Sequence, residues 1–304
     1  RCLMRSITEF LKNFLIFIVI LQILPPLFTS VKEQYYGLIA PKARVAVVPI
    51  SGMITSSERY IKTVREFFKD PSIRAIVLMI NCSGGFAGSS QEIHHALRAF
   101  KLAYQKPLIV FVENICASGA YYVASAADRI VVTPSAFVGS IGVYIPQPQL
   151  DEFIGQFKAR YGVIKSGEYK TAGDPFLPPN QANNAMLQSL TDDTYEQFVD
   201  DVASTRPHLK KSQHTEWANG RVFTGRQAVA LNLADELGTR ESVEQIIRKK
   251  VSIDGDIEWI KPRDERSFMA RLFGKSSDDD SYLETFFKSM GELLNFHGPY
   301  APLL

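Results

Sequence analysis

With 304 residues, 46% of them hydrophobic and 22% charged, the chain can bury a sizeable core as one large or two ordinary domains, which excludes a disordered protein. Its 34 basic and 32 acidic side chains leave a net charge of +2, and no basic stripe is interleaved with aromatics, so nothing calls for a nucleic-acid partner. Three cysteines, Cys2, Cys82 and Cys116, are too few for a disulfide framework, and no C-x-x-C pair or H-E-x-x-H run suggests a metal.

The first thirty residues carry a membrane signal. Arg1, Arg5 and Lys12 precede an apolar run from Phe14 through Leu21 to Phe28, interrupted near its far end by Pro25-Pro26. The run is short for a span, but starting at Phe10 with Lys12 snorkelling gives enough length to cross. A cleaved signal peptide is the alternative, yet Phe28-Thr29-Ser30-Val31-Lys32 offers no small-x-small cleavage site. The expectation is an uncleaved anchor over 1–30 with its basic flank in the cytoplasm and the rest of the chain outside, followed by a linker over 31–43.

The pattern then turns α/β. Arg44 to Ile50 is an apolar strand that Ser51-Gly52 breaks, and Ser57 to Lys69 puts Tyr60, Ile61, Val64, Phe67 and Phe68 on one helical face. Asp70-Pro71 stops that helix. Ala75 to Ile80 is a continuous apolar run, the signature of a buried parallel strand, and Asn81-Cys82-Ser83-Gly84-Gly85 follows it. Ser89-x-x-Glu92 reads as a capping box opening a helix to Tyr104. Lys106-Pro107 introduces a third strand, Leu108 to Val112, which leads into Asn114-Ile115-Cys116-Ala117-Ser118-Gly119 and a helix from Ala120. The right-handed crossover rule makes these strands parallel, so Gly84-Gly85 and Ser118 share one sheet edge, where open α/β sheets bind ligands. Cys82 and Cys116 lie just past neighbouring strands and are expected as two buried thiols. Further helices are expected over Asn180–Ser204 and Thr239–Lys250, closing a domain over 44–250. The extension 251–304 holds an amphipathic helix with Leu283, Phe286, Phe287, Met290, Leu293 and Leu294 on one face.

A strand–turn–helix corner with small flanking residues presents a hydroxyl alongside backbone N–H groups, which makes Ser118 a candidate nucleophile. Gly84-Gly85 lets further N–H groups approach a substrate carbonyl, the arrangement of an oxyanion hole. A phosphate-bearing cofactor is not implied: Gly84-Gly85-Phe86-Ala87-Gly88 has neither a Gly-Lys-Ser/Thr ending nor G-x-G-x-x-G spacing. None of the five histidines has a strand-end context suited to a base. A desolvated lysine can serve instead, and Lys170 sits among glycines and aromatics in Ser166-Gly167-Glu168-Tyr169-Lys170-Thr171-Ala172-Gly173. On chemistry alone, a solvated surface lysine fits as well.

Five stretches in order resemble the motifs of the signal peptide peptidase A family: Asn81 to Gly85, Ala117 to Tyr122, Gly139-Ser140-Ile141-Gly142-Val143, Ser166 to Phe176, and Asn219 to Gly225 with Leu233 to Gly238. The resemblance runs from Arg44 to Ile247 and is to the short bacterial form with a single catalytic unit. It implies a membrane-bound serine endopeptidase on the Clp-protease/crotonase fold, degrading cleaved signal peptides and needing no cofactor. Ser118 would be the nucleophile, Lys170 the general base, Gly85 and Gly119 the oxyanion donors, with Gly84 and Ser140 in support. It also implies ring-like homo-oligomers with dyads completed between protomers, held by one span in the bacterial inner membrane with the catalytic domain on the extracytoplasmic side. The 52 residues from Ser118 to Lys170 (170 − 118) allow a dyad within or between chains. Departures are local: Cys82-Ser83 stands where the family usually has Ser-Pro, which leaves the oxyanion loop less rigid, Asn219 where Asp is common, and Asn232-Leu233-Ala234-Asp235 where Gly-Leu-Val-Asp is usual. A crotonase-type acyl-CoA enzyme and a non-catalytic membrane scaffold are the alternatives in other classes.

Overall fold

Strands that are apolar on both faces need helices on both sides, and the chain supplies them. The structure is a computed structural model that describes residues 42–262 and, in the amino-terminal segment, the helical positions Ile18, Leu21, Gln22, Leu24 and Pro26. Among the described residues no helix is long and apolar enough to cross a membrane. Most of the expected anchor over 1–30, and the amphipathic helix expected beyond Asp279, lie outside the described residues.

Among the described residues eight strands form one sheet. In chain order they are β1 (Ala43–Ile54), β2 (Ile73–Gly85), β3 (Leu108–Ala117), β4 (Arg129–Val132), β5 (Phe137–Gly139), β6 (Val222–Thr224), β7 (Glu236–Leu237) and β8 (Ile257–Ile260). The main path is β6-β5-β3-β2-β1-β8, with β4 beside β3 and β7 beside β4. Every pairing is parallel except β5 with β6. Strand β3 forks: Ile109–Val112 pairs with β4, while Ile115–Ala117 pairs with β5. Its last residues are thereby held on both sides, between β2 and β5.

The helices are α1 (Glu58–Lys69), α2 (Ala87–Tyr104), α3 (Gly119–Ser125), α4 (Asp151–Gln156), α5 (Gln181–Thr205), α6 (His214–Trp217), α7 (Gly225–Ala230) and α8 (Arg240–Lys250). Side chains alternate across each strand. Ala46, Val48, Ile76, Leu78, Leu108 and Val110 face α1, α2, α3 and α5, meeting Val64, Phe68, Ile93, Leu97 and Phe198. Val45, Ala75, Val77, Ile109 and Phe111 face the other way, onto Val243 and Ile247 of α8. Each fully buried Val, Leu, Ile or Phe among them stabilises by about 1.5–3 kcal/mol relative to exposure. The mixed α/β architecture, a mostly parallel sheet flanked by helices, is the expected fold class.

Three local expectations change. Ser51-Gly52 does not end β1: the strand runs on to Ile54 through a register shift between Ser51 and Met53, and Gly52, with φ +72°, absorbs the distortion. The capping box does not form, because α2 starts at Ala87 with Phe86 at its N-cap, which puts Ser89 inside the first turn. Ser89 Oγ instead meets Thr55 O at 3.4 Å, and Glu92 accepts a hydrogen bond from Ser57. Strand β8, beyond residue 250, joins the sheet against the first four residues of β1.

Candidate active site

Strands β2 and β3 end side by side, with Cys82 opposite Cys116, and the two loops that leave them converge. Gly84 turns the first loop with φ +122°, and a Cβ there would lie 2.9 Å from Ser118 Cβ. Gly85 packs onto the end of β1, where a Cβ would come 2.1 Å from Ile54 O. Phe86 N–H donates to Ile54 O at 2.9 Å. Since successive N–H groups of a parallel strand alternate between its two neighbours, the Gly85 N–H faces away from β1, toward β3.

Ser118 stands between β3 and α3 with φ +51° and ψ −126°, backbone angles that cost a residue with a side chain and mark a nucleophile elbow. Two bonds enforce them: Ser118 N–H donates to Gly139 O at 2.8 Å, and Ser118 O accepts from Tyr122 N–H at 3.0 Å. The side chain is half-buried, and among the described residues its hydroxyl has no hydrogen-bond partner. Gly119 follows as the first residue of α3, so its N–H has no partner within the helix. A Cβ on Gly119 would stand 3.2 Å from Gly85 N and 2.3 Å from Ser90 Oγ. The amides of Gly85 and Gly119 therefore lie together at the base of the Ser118 side chain. All seven residues of α3 are buried. Tyr121 OH donates to Leu233 O at 2.8 Å, and Tyr122 OH donates to Asp201 of α5 at 2.5 Å with its ring stacked on Phe198 at 4.2 Å.

The other expected site residues fall into two groups. Ser140 adjoins the elbow, since Gly139 pairs with Ala117, and Ser140 N–H donates to Arg221 O at 2.7 Å with φ +50°. Lys170 lies in an exposed run of turns over 166–173, and among the described residues no hydrogen bond joins its ammonium to Ser118. In the segment leading to it, Tyr144, Phe153, Phe157, Ile164 and Tyr169 are all exposed. Cys82 and Cys116 are free and buried. Burial pushes both thiols above their usual range, Cys116 furthest. No group of three His, Cys, Asp or Glu side chains is placed to hold a metal among the described residues.

Two contributors escaped the sequence pattern, because helical spacing does not distinguish a packing contact from a supporting one. Ser90, fully buried on α2, fits directly beneath Gly119. His94, also fully buried on α2, sits against Tyr122 O at 2.9 Å through Nδ1. A carbonyl only accepts, so Nδ1 carries the proton, and buried Nε2 is left without a partner. Desolvation lowers the His94 pKa to about 4. The unfolded chain takes up this proton near pH 6.5 and the folded one only near 4, so the stabilisation is complete above 6.5 and is lost as the pH falls toward 4. Denaturant titrations at pH 7 and 4.5 should show the parent losing about 2–3 kcal/mol more than His94→Asn. An equal loss in both proteins would remove His94 from the acid response.

Comparisons with known proteins first define the class. A candidate protease of Synechocystis sp. is 33% identical over 259 residues, 82% of this chain and 88% of that protein. A candidate protease of Methanocaldococcus jannaschii is 35% identical over 182 residues, 60% of this chain and 58% of that protein. A candidate signal peptide peptidase of Enterococcus faecium is 27% identical over 193 residues, and the chain spans 56% of its length. Among solved structures, the 1510-N membrane-bound stomatin-specific protease is similar at 14% identity with a TM-score of 0.47, over 73% of this chain and 100% of that one. The chain belongs to peptidase family S49, a family of serine-type peptidases, whose model matches residues 101–254.

Proposed function

We propose that the protein is a membrane-anchored serine endopeptidase that degrades cleaved signal peptides and similar apolar peptides through Ser118 and Lys170. The observation that carries this reading is the strained elbow at Ser118 with the Gly85 and Gly119 amides at its base. The substrate class rests on the family and on the Enterococcus faecium relative. Localisation in the bacterial inner membrane, with the catalytic domain extracytoplasmic, rests on the basic and apolar pattern of residues 1–30.

In this mechanism the neutral Lys170 amine takes the Ser118 proton as the hydroxyl attacks a peptide carbonyl. The Gly85 and Gly119 N–H groups stabilise the resulting oxyanion, each by a few kcal/mol in the transition state. The Lys170 ammonium then protonates the leaving amine, and water repeats the sequence on the acyl-enzyme. A neutral amine needs desolvation, and in one chain Lys170 is exposed. A neighbouring protomer of a ring supplies that cover in our reading: the exposed apolar side chains of the segment leading to Lys170 pack on the next subunit, and the dyad forms between chains.

Mixing two inactive variants tests both the dyad and its placement. Ser118→Ala retains the lysine and Lys170→Ala retains the serine, so co-assembled rings with dyads between chains recover roughly a quarter of parent activity by random neighbour pairing. Peptide hydrolysis after dissociation and reassembly is the readout. No recovery, despite demonstrated co-assembly, rules out the dyad between chains. Full activity in Lys170→Ala alone moves the base elsewhere.

A further inference from the structure

The Gly84–Gly85 turn contains a contact that a purely structural cysteine would not need. Cys82, two residues before Gly84 on β2, has its sulfur 3.3 Å from Gly84 N and 3.4 Å from Gly84 O. The sulfur accepts the Gly84 N–H, and the S–H donates to the Gly84 carbonyl. The Gly84 carbonyl and the Gly85 N–H belong to one planar trans peptide unit and point in opposite directions. Whatever fixes the direction of that carbonyl fixes the direction of the Gly85 N–H. Donation to the carbonyl also polarises the same amide, strengthening the N–H as a donor.

We infer that Cys82 is a positioning residue whose thiol sets the plane of the Gly84–Gly85 peptide and aims the Gly85 N–H at the oxyanion. The inference rests on the reading of Ser118 as nucleophile and Gly85 as oxyanion donor. Gly84, at φ +122°, departs from ordinary strand geometry at the very end of the β1–β2 pairing, where Met53 lies opposite Gly84 and Ile54 opposite Gly85, and the thiol is a second hold on this last peptide plane. Burial favours its working state, because a desolvated thiol stays protonated and keeps its donor. Cys116 lies beside Cys82 in the strand register, at equal depth, with no hydrogen bond to the glycine turn among the described residues.

The test compares kcat and KM of the full chain on an apolar signal-peptide-like substrate for the parent, Cys82→Ala, Cys82→Ser and Cys116→Ala. Cys82→Ala is expected to lower kcat roughly tenfold or more with KM within about twofold, since an oxyanion donor acts mainly in the transition state. Cys82→Ser keeps a donor and an acceptor at the same place and should return kcat to within about threefold of the parent. Cys116→Ala removes the same volume from the same layer and should leave kcat near the parent value. Parent-like kcat in Cys82→Ala, or a serine variant no better than the alanine one, overturns the inference. If Cys82→Ala does not fold, Cys82→Val, which fills the site without a donor, carries the same expectation. Covalent labelling by a fluorophosphonate probe separates the two readings. Labelling of the parent that Ser118→Ala abolishes upholds the nucleophile whatever Cys82 does, and its absence from the assembled parent removes the premise.

Discussion

Ser118→Ala should lower kcat/KM for an apolar peptide substrate by a factor on the order of 10⁴ or more while leaving the melting temperature near that of the parent. Losing the nucleophile removes the acyl-enzyme route, and only binding and the oxyanion donors remain to act on water. Folding should hardly notice, because among the described residues the hydroxyl has no hydrogen-bond partner and its side chain is only half-buried. The backbone bonds that shape the elbow, from Ser118 N–H to Gly139 O and from Tyr122 N–H to Ser118 O, do not involve the hydroxyl. Peptide hydrolysis and thermal melting of the same preparation measure both halves. An alanine variant retaining a tenth of parent activity would remove Ser118 from the chemistry.

Gly85→Ala should cost both stability and rate. The added methyl would lie 2.1 Å from Ile54 O and 2.6 Å from Ile54 C and N, all backbone atoms of β1 that cannot rotate aside. Either β1 or the glycine turn must move, at about 1–3 kcal/mol for such overpacking. If the turn moves, the Gly85 N–H leaves the oxyanion, a loss of about 10²–10³ in kcat. The Phe86 N–H to Ile54 O bond, one residue on, ties the two responses together, since a shift that relieves the clash stretches it. Gly88→Ala is the matched control, because a Cβ there meets nothing within 4 Å. Denaturant unfolding and steady-state kinetics of the two alanine variants decide the matter. A Gly85→Ala protein with parent kcat would mean that this amide does not face the reacting carbonyl.

The apolar runs of β2 and β3 and their parallel crossover were legible because both strands are buried on both faces, which writes continuous hydrophobic sequence. The convergence of Gly84, Gly85 and Ser118 followed from that topology alone. Gly119 entered as a flank small enough for close approach, and the reason is now specific: Ser90 Oγ occupies the space where its Cβ would be. Ser90 itself was illegible, since serine on a helix gives no sign of which face it takes. The true end of β1 was misread because a bulge uses the same Ser-Gly pair that ends strands elsewhere. The start of α2 was misread because the capping box is a local pattern, and Glu92 found its partner in Ser57, 35 residues away. Lys170 remains the residue that the sequence motif names and single-chain geometry leaves apart.

The backbone at Ser118 has a wider meaning for how such a chain can change. At φ +51° and ψ −126° glycine would sit without strain, and serine sits with it. Folding by itself therefore pulls this position toward the residue that ends the chemistry. A copy released from the need to cut peptides could drift there and become more robust as it did so. In the proposed mechanism the hydroxyl stands where it does against the preference of the fold, and the reaction accounts for it.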